Sequence, residues 1–235
     1  MQGKFICHKD FSSLKPIDVF HKEHENKSLP KTEEKYKNRH ILFRKKFTLA
    51  DYQTAMICIT ADDYFKLYIN GKFVMQGPPP SYPNAYLYMQ KDVSEYLRRG
   101  ENVIAVHTYY QGLINRVWVS GDLRESFWCE LTVDGEIVAA SDESWKCANH
   151  TAYSACGVLG YDTAYAERYD SRAKEVGFEK AEYNDESWEN ASVYENADYR
   201  LEKSPIEPLE VYCVSPQRIE RKGKVYFIDF GREYV

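Results

Sequence analysis

Three groups of carboxylates are the residues of this chain best suited to acid–base chemistry: Asp62 with Asp63, Glu167 with Asp170, and Asp185 with Glu186. Two carboxyl groups about 5 to 9.5 Å apart can cleave a glycosidic bond, one as the acid and the other as base or nucleophile. Position along the chain does not fix such a gap. Acidic residues beside Asn, Ser and Gly more often shape turns through local hydrogen bonds, and that is the reading expected here. The same oxygens are the kind that Ca²⁺ takes from loops, but no calcium-loop signature accompanies them. No cofactor is therefore expected, with Ca²⁺ an open alternative that no motif supports. His21 and His24 form H-x-x-H in a polar segment without a third ligand, so a solvated surface is expected rather than a metal site. His107 lies in an apolar run and reads as a hydrogen-bonded core histidine rather than a base. No phosphate loop, nucleophile elbow or zinc pattern is present. The expected catalytic set is empty.

The aromatic residues offer a different chemistry. Tyrosine occurs 20 times and aromatics make up 15% of the chain, enough to build a surface on which sugars stack their C–H faces. Tyr82, Tyr86, Tyr88, Tyr109, Tyr110 and Trp118 are the candidates for such a carbohydrate platform. The competing reading is that these rings fill a β-protein core, as most aromatics in such proteins do. Exposure of the rings decides between the two.

The elements that carry these residues read as short strands. Apolar runs at 41–47, 55–59, 64–69, 72–75, 102–109, 127–133 and 136–139 have strand length and strand composition. Asn70-Gly71 and Asp134-Gly135 each fall between two such runs, the strongest short signal of a tight hairpin. Gly77-Pro78-Pro79-Pro80 must be loop, because proline cannot donate to a sheet ladder. Asp92-Val93-Ser94-Glu95 reads as a capping box that opens one helical turn, with Leu97 inward and Gly100 ending it. Asp142-Glu143-Ser144-Trp145 returns as Asp185-Glu186-Ser187-Trp188, two acidic turns that each plant one Trp into the sandwich edge. The basic run Arg44-Lys45-Lys46 alternates with apolar residues and reads as a solvated strand face. No long amphipathic helix appears. The expected fold is all-β, an antiparallel sandwich with short helical turns.

Composition narrows the partners. A net charge of -5 gives no attraction to nucleic acid or anionic lipid. No apolar run is long enough to cross a bilayer, and the first residues carry no secretion signal. Six scattered cysteines without a C-x-x-C pair read as reduced thiols, which together with the missing signal gives an expectation of cytoplasmic residence.

Several motifs in order resemble one family, the bacterial α-L-rhamnosidases of glycoside hydrolase family 78. They begin with Tyr68-Ile69-Asn70-Gly71-Lys72 followed by Gly77-Pro78, then Tyr88 leading through Asp92-Val93-Ser94 to the stretch from Leu97 to Val106. Glu167-Arg168-Tyr169-Asp170-Ser171-Arg172, the second Asp-x-Ser-Trp segment and Val225-Tyr226-Phe227-Ile228-Asp229-Phe230-Gly231 complete the series. The resemblance covers residues 40 to 235. It implies a galactose-binding-like jelly roll over 40–204 and a linker with the first strands of a following β-domain over 205–235; residues 1–39, polar and charged and outside the resemblance, read as a lead-in by composition. In such enzymes the catalytic carboxylates stand on an (α/α)₆ barrel that follows the β-domains. The resemblance therefore implies a non-catalytic accessory sandwich whose partner is that barrel, and no catalytic residue is carried over. A free-standing carbohydrate-binding module and an oligomerisation scaffold are the alternatives.

Overall fold

A computed structural model describes residues 1–17, 32–114, 120–160 and 164–232. His21, His24 and Trp118 lie outside the described residues. The strands are β1 (Ile6–Cys7), β2 (Arg39–Leu49), β3 (Ala55–Asp62), β4 (Tyr64–Ile69), β5 (Lys72–Gly77) and β6 (Tyr86–Asp92). They continue as β7 (Gly100–Tyr110), β8 (Ser126–Val133), β9 (Glu136–Ala140), β10 (Lys146–Asn149), β11 (Tyr153–Val158) and β12 (Tyr165–Tyr169). The last are β13 (Glu189–Asn190), β14 (Ser192–Val193), β15 (Leu201–Lys203), β16 (Arg218–Lys222) and β17 (Val225–Asp229).

Two sheets form the sandwich. One runs β14-β1-β8-β3-β6-β15, with β9 also paired to β8; the other runs β13-β10-β2-β7-β4-β5. Every pairing within them is antiparallel except β15 with β6, where Leu201 lies opposite Tyr86 in parallel. Alternation along the strands builds the core. Ile41 and Phe43 of β2, Phe65, Leu67 and Ile69 of β4, and Ile104 and Val106 of β7 face inward. They meet Ile57 and Ile59 of β3 and Phe127, Cys129 and Leu131 of β8, and Phe43 approaches Phe127 at 4.7 Å between ring centroids. The intervening residues Leu42 and Ala105 point the other way and join a second apolar cluster with Phe178 and Trp188. The outer face of the six-stranded sheet is thus covered by the chain between β10 and β13.

Both expected hairpins form. Asn70 and Gly71 sit at φ 51° and 82°, and Asp134 and Gly135 at 48° and 89°, the positive values that a type I′ turn needs. The turn after Asp92 is a single 3₁₀ turn, Ser94–Tyr96. Asp92 Oδ1 accepts from the Ser94 N–H at 2.9 Å, an Asx turn in place of the capping box. Both Asp-x-Ser-Trp segments close i to i+3 turns, Trp145 N–H to Asp142 O at 3.2 Å and Trp188 N–H to Asp185 O at 3.0 Å. Trp145 is planted in the main core, while Trp188 covers the sheet's outer face.

Two expectations are corrected. Residues 1–39 are not a polar lead-in throughout: Phe5, Ile6, Cys7 and Phe11 are buried in the main core, and β1 pairs with β8 and β14. That apolar run is too short to stand out among charged neighbours. Arg44 is not on a solvated face either; its side chain is fully buried. Beyond β15, the strands β16 and β17 pair with each other and with neither sandwich sheet. All six cysteines are free thiols.

Candidate functional site

The outward-facing residues of β2, β4 and β7 build the most site-like part of the molecule. Register places Tyr64 opposite Tyr109, and Tyr109 opposite His40. The rings form a ladder across the strands: Tyr109 stacks on His40 at 4.3 Å and 15°, and Tyr153 of β11 stacks on its other face at 4.0 Å and 8°. Tyr64 continues the series at 6.3 Å from Tyr109, with planes 18° apart. The next rung holds Lys66 opposite His107. His40 Nδ1 and His107 Nε2 are 3.0 Å apart, so one of the two nitrogens carries the shared proton. Burial, with His150 and Lys66 nearby, pushes the His40 ring down to about 3, and burial also holds His107 and His150 below the usual histidine range. The histidines are therefore neutral near pH 7, which makes the floor of the site uncharged.

A cavity of about 600 Å³ opens above this ladder. The β11–β12 hairpin forms one side through Tyr153, Tyr165 and Glu167, and Pro78, Pro79 and Pro80 form another. Ile206, Glu207 and Leu209, which follow β15, close a third side. A smaller cavity of about 210 Å³ adjoins it past Lys66 and His107 and is lined by His150 and Phe178.

The tyrosines read as a platform do not come together. Tyr110 is fully buried and donates nothing outward; its hydroxyl accepts from the Leu123 N–H at 2.8 Å. Tyr86 is buried too, with its hydroxyl bonded to the Ala61 carbonyl at 2.8 Å. Tyr88 lies against Trp128, and Tyr82 is exposed at 64% on the loop before β6. Tyr109 alone of these five lines the cavity. The correction has a parity cause: Tyr109 and Tyr110 are neighbours on one strand, so they must face opposite ways. Sequence reading missed His40, Tyr64, Lys66 and Tyr153. Alternation along β2, β4 and β7 carried a signal for the first three, since each shares the outward parity of its strand; nothing in the sequence announced Tyr153.

The carboxylates separate as well. Asp62 and Asp63 are buried at the end of β3 rather than displayed on a turn. Asp63 Oδ2 accepts from the Gln111 N–H at 2.7 Å and from the Ser120 hydroxyl, and Asp62 Oδ2 lies 3.1 Å from the Tyr199 hydroxyl. Arg124 bonds Asp122 at 2.8 Å and clamps Asp198 through two contacts of 3.1 Å. Desolvation raises the Asp62 carboxyl well above its ordinary range and takes Asp122 up to about 6, against the pull of Arg124. Asp62, Asp63, Asp122 and Arg124 are buried, while Asp198 is exposed. Asp185 is ion-paired to Arg44 at 2.8 Å, and Asp170 to Arg172 at 2.7 Å. Glu167 and Glu207 are the two carboxylates that line the cavity, both exposed to solvent. Among the described residues no group of three or more His, Cys, Asp or Glu side chains is placed to hold a metal ion.

Comparison with known proteins adds an independent line. The profile of the alpha-L-rhamnosidase N-terminal domain matches residues 50–212. The GH78 family rhamnosidase of Bacillus sp. GL1 superposes with a TM-score of 0.73 at 23% identity, over 94% of this chain and 21% of that one. The α-L-rhamnosidase of Dictyoglumus thermophilum gives 0.64 at 25% identity, over 99% and 26%. That of Streptomyces avermitilis, solved with L-rhamnose, gives 0.63 at 20% identity, over 83% and 20%. The chain spans about a fifth to a quarter of the length of these proteins. No curated protein matches it.

Proposed function

The chain belongs to the alpha-L-rhamnosidase N-terminal domain family, and from that premise we propose that it is the non-catalytic accessory sandwich of an α-L-rhamnosidase-like glycoside hydrolase. In this reading it docks on the catalytic part of that enzyme through residues 205–230. The observation that carries the reading is where the apolar surface lies. The sandwich encloses its own core, yet Leu209, Tyr212, Ile219, Tyr226, Phe227 and Ile228 are each more than half exposed. An isolated two-stranded sheet such as β16–β17 is marginal in water, and apolar side chains on both of its faces need a partner. The apolar patch lies off both sandwich sheets, which favours an attached catalytic part over self-association through a sheet face.

The state of the carboxylates supports a non-catalytic sandwich: those raised above their ordinary range, Asp62, Asp122 and Glu125, are buried, and those on the surface are mostly ion-paired or used in turns. The test is hydrolysis of 4-nitrophenyl α-L-rhamnoside by the 235-residue chain. We expect no release of nitrophenol above buffer. Saturable release that disappears in Glu167→Gln would reverse the assignment and make the two cavity carboxylates a catalytic pair.

A further inference from the structure

We propose that the cavity between the outer face of the six-stranded sheet and the β11–β12 hairpin is a binding site for a flat, uncharged aromatic ring, of the kind an aryl glycoside carries as its leaving group. The site shares Ile206, Glu207 and Leu209 with the segment proposed to dock, so it is tested on the 235-residue chain by itself, apart from the test of docking.

The first argument is shape. Tyr153, His40, Tyr109 and Tyr64 stand as parallel rings on neighbouring strands, so the floor is a row of aromatic edges at strand spacing. Aromatic groups favour edge-to-face contact with such a row, because the electropositive ring edge meets the electronegative face of the guest. The proline side gives a rigid wall, and Leu209 offers an aliphatic one. A cavity of about 600 Å³ falls in the range that holds small organic ligands, roughly 300 to 1,000 Å³.

The second argument is polarity. A bare sugar carries a hydroxyl on nearly every carbon, and each one buried without a partner costs free energy. Most of the lining surface is apolar; the Asn38 amide oxygen already accepts from the Tyr109 hydroxyl at 3.1 Å, and His40 Nδ1 and His107 Nε2 are engaged with each other. Beside the Gln76 amide and the Ser154 and tyrosine hydroxyls, the polar groups of the lining are Lys66, Glu167, Arg168 and Glu207, which are exposed and stand at the rim. They suit the edge of a glycoside that stays in water while its aromatic end enters. Charge gives no preference for an ionic guest, since cations Lys66 and Arg168 are matched by anions Glu167 and Glu207. Burial keeps His40 and His107 uncharged, so the floor attracts no anion.

Calorimetric titration of the whole 235-residue chain with three probes tests this. We expect 4-nitrophenyl α-L-rhamnoside and 4-nitrophenyl β-D-glucoside to bind with affinities within about threefold of each other, and methyl α-L-rhamnoside at least about tenfold more weakly. Leu209→Asp, which charges the aliphatic wall at a residue 74% exposed and so leaves folding alone, should weaken both aryl probes about tenfold. Val211→Asp, two residues on and outside the cavity, should leave them unchanged. Equal binding of the methyl glycoside, dependence on the sugar among the aryl probes, no saturable binding, or indifference to Leu209→Asp would each overturn the proposal.

Discussion

Glu125 is completely buried, with Oε1 3.5 Å from the Thr108 hydroxyl and Oε2 without a hydrogen-bond partner among the described residues. Burial pushes its carboxyl up to about 8, so the folded chain holds a proton that the unfolded chain releases near pH 4.5. A raised acid contributes stability that is complete below its unfolded value and lost as the pH climbs through the folded one. His40 works in the opposite sense. Its folded value of about 3 lies below the unfolded 6.5, so its contribution is complete above pH 6.5 and lost as the pH falls towards 3. Between pH 4.5 and 6.5 the two effects oppose each other, so together they predict a melting temperature with a broad maximum centred at about pH 5.5 that declines on either side. In Glu125→Gln the alkaline decline up to about pH 8 should flatten while the acid limb stays. Thermal scans across pH decide it; an unchanged alkaline limb would assign that loss to other groups. At this scale the sequence said little. His107 was legible as a core histidine because its strand is apolar, but Glu125, in Leu123-Arg124-Glu125-Ser126, has no neighbour that betrays its burial.

The polar contacts between β2 and the loop between β12 and β13 centre on one side chain, with Lys46 3.3 Å from Asp185 beside it. Arg44 Nε donates to Asp185 Oδ2 at 2.8 Å, and its terminal nitrogens donate to the carbonyls of Phe178, of Lys180 at 3.1 Å and of Tyr183 at 3.4 Å. Its guanidinium also lies over the Tyr183 ring, 5.2 Å from the centroid. Arg44→Met keeps the apolar stem but leaves the carbonyls without their donor and Asp185 with Lys46 alone, an expected cost of about 3 kcal/mol. Urea unfolding should show that loss, and amide exchange should rise first in 175–188, while the core strands keep their protection. Uniform loosening of the whole sandwich would contradict this local role. Elements with strong local chemistry were readable: both Asx-Gly hairpins, the proline loop and the paired Trp turns each depend on residues adjacent in sequence. What escaped depends on distant partners. β1 is two residues long, β15 joins β6 in parallel after a long excursion, and Arg44 looked solvated because its acceptors lie more than 130 residues away. Gly112 makes the same point: at φ 67°, a Cβ there would come within 3.0 Å of the Lys37 Cα, a constraint visible only once the chain has folded back.

For the whole molecule, the all-β class and the family were legible from turn signals and motif order, because both are local patterns repeated along the chain. The site was not, since it is assembled from one face of three strands and a hairpin that the sequence does not connect. Under the proposed docking, the enclosed sandwich carries an apolar segment over residues 205–230 that seats on a catalytic partner. Hydrogen exchange on the chain alone and on the same chain covalently joined to the catalytic part of its hydrolase tests this most directly. Docking should slow the amides of β16, β17 and residues 206–214 by at least about tenfold in the joined protein, while those of β2, β3, β7 and β8 stay as they were. Equal exchange of residues 206–230 in the two proteins would contradict it.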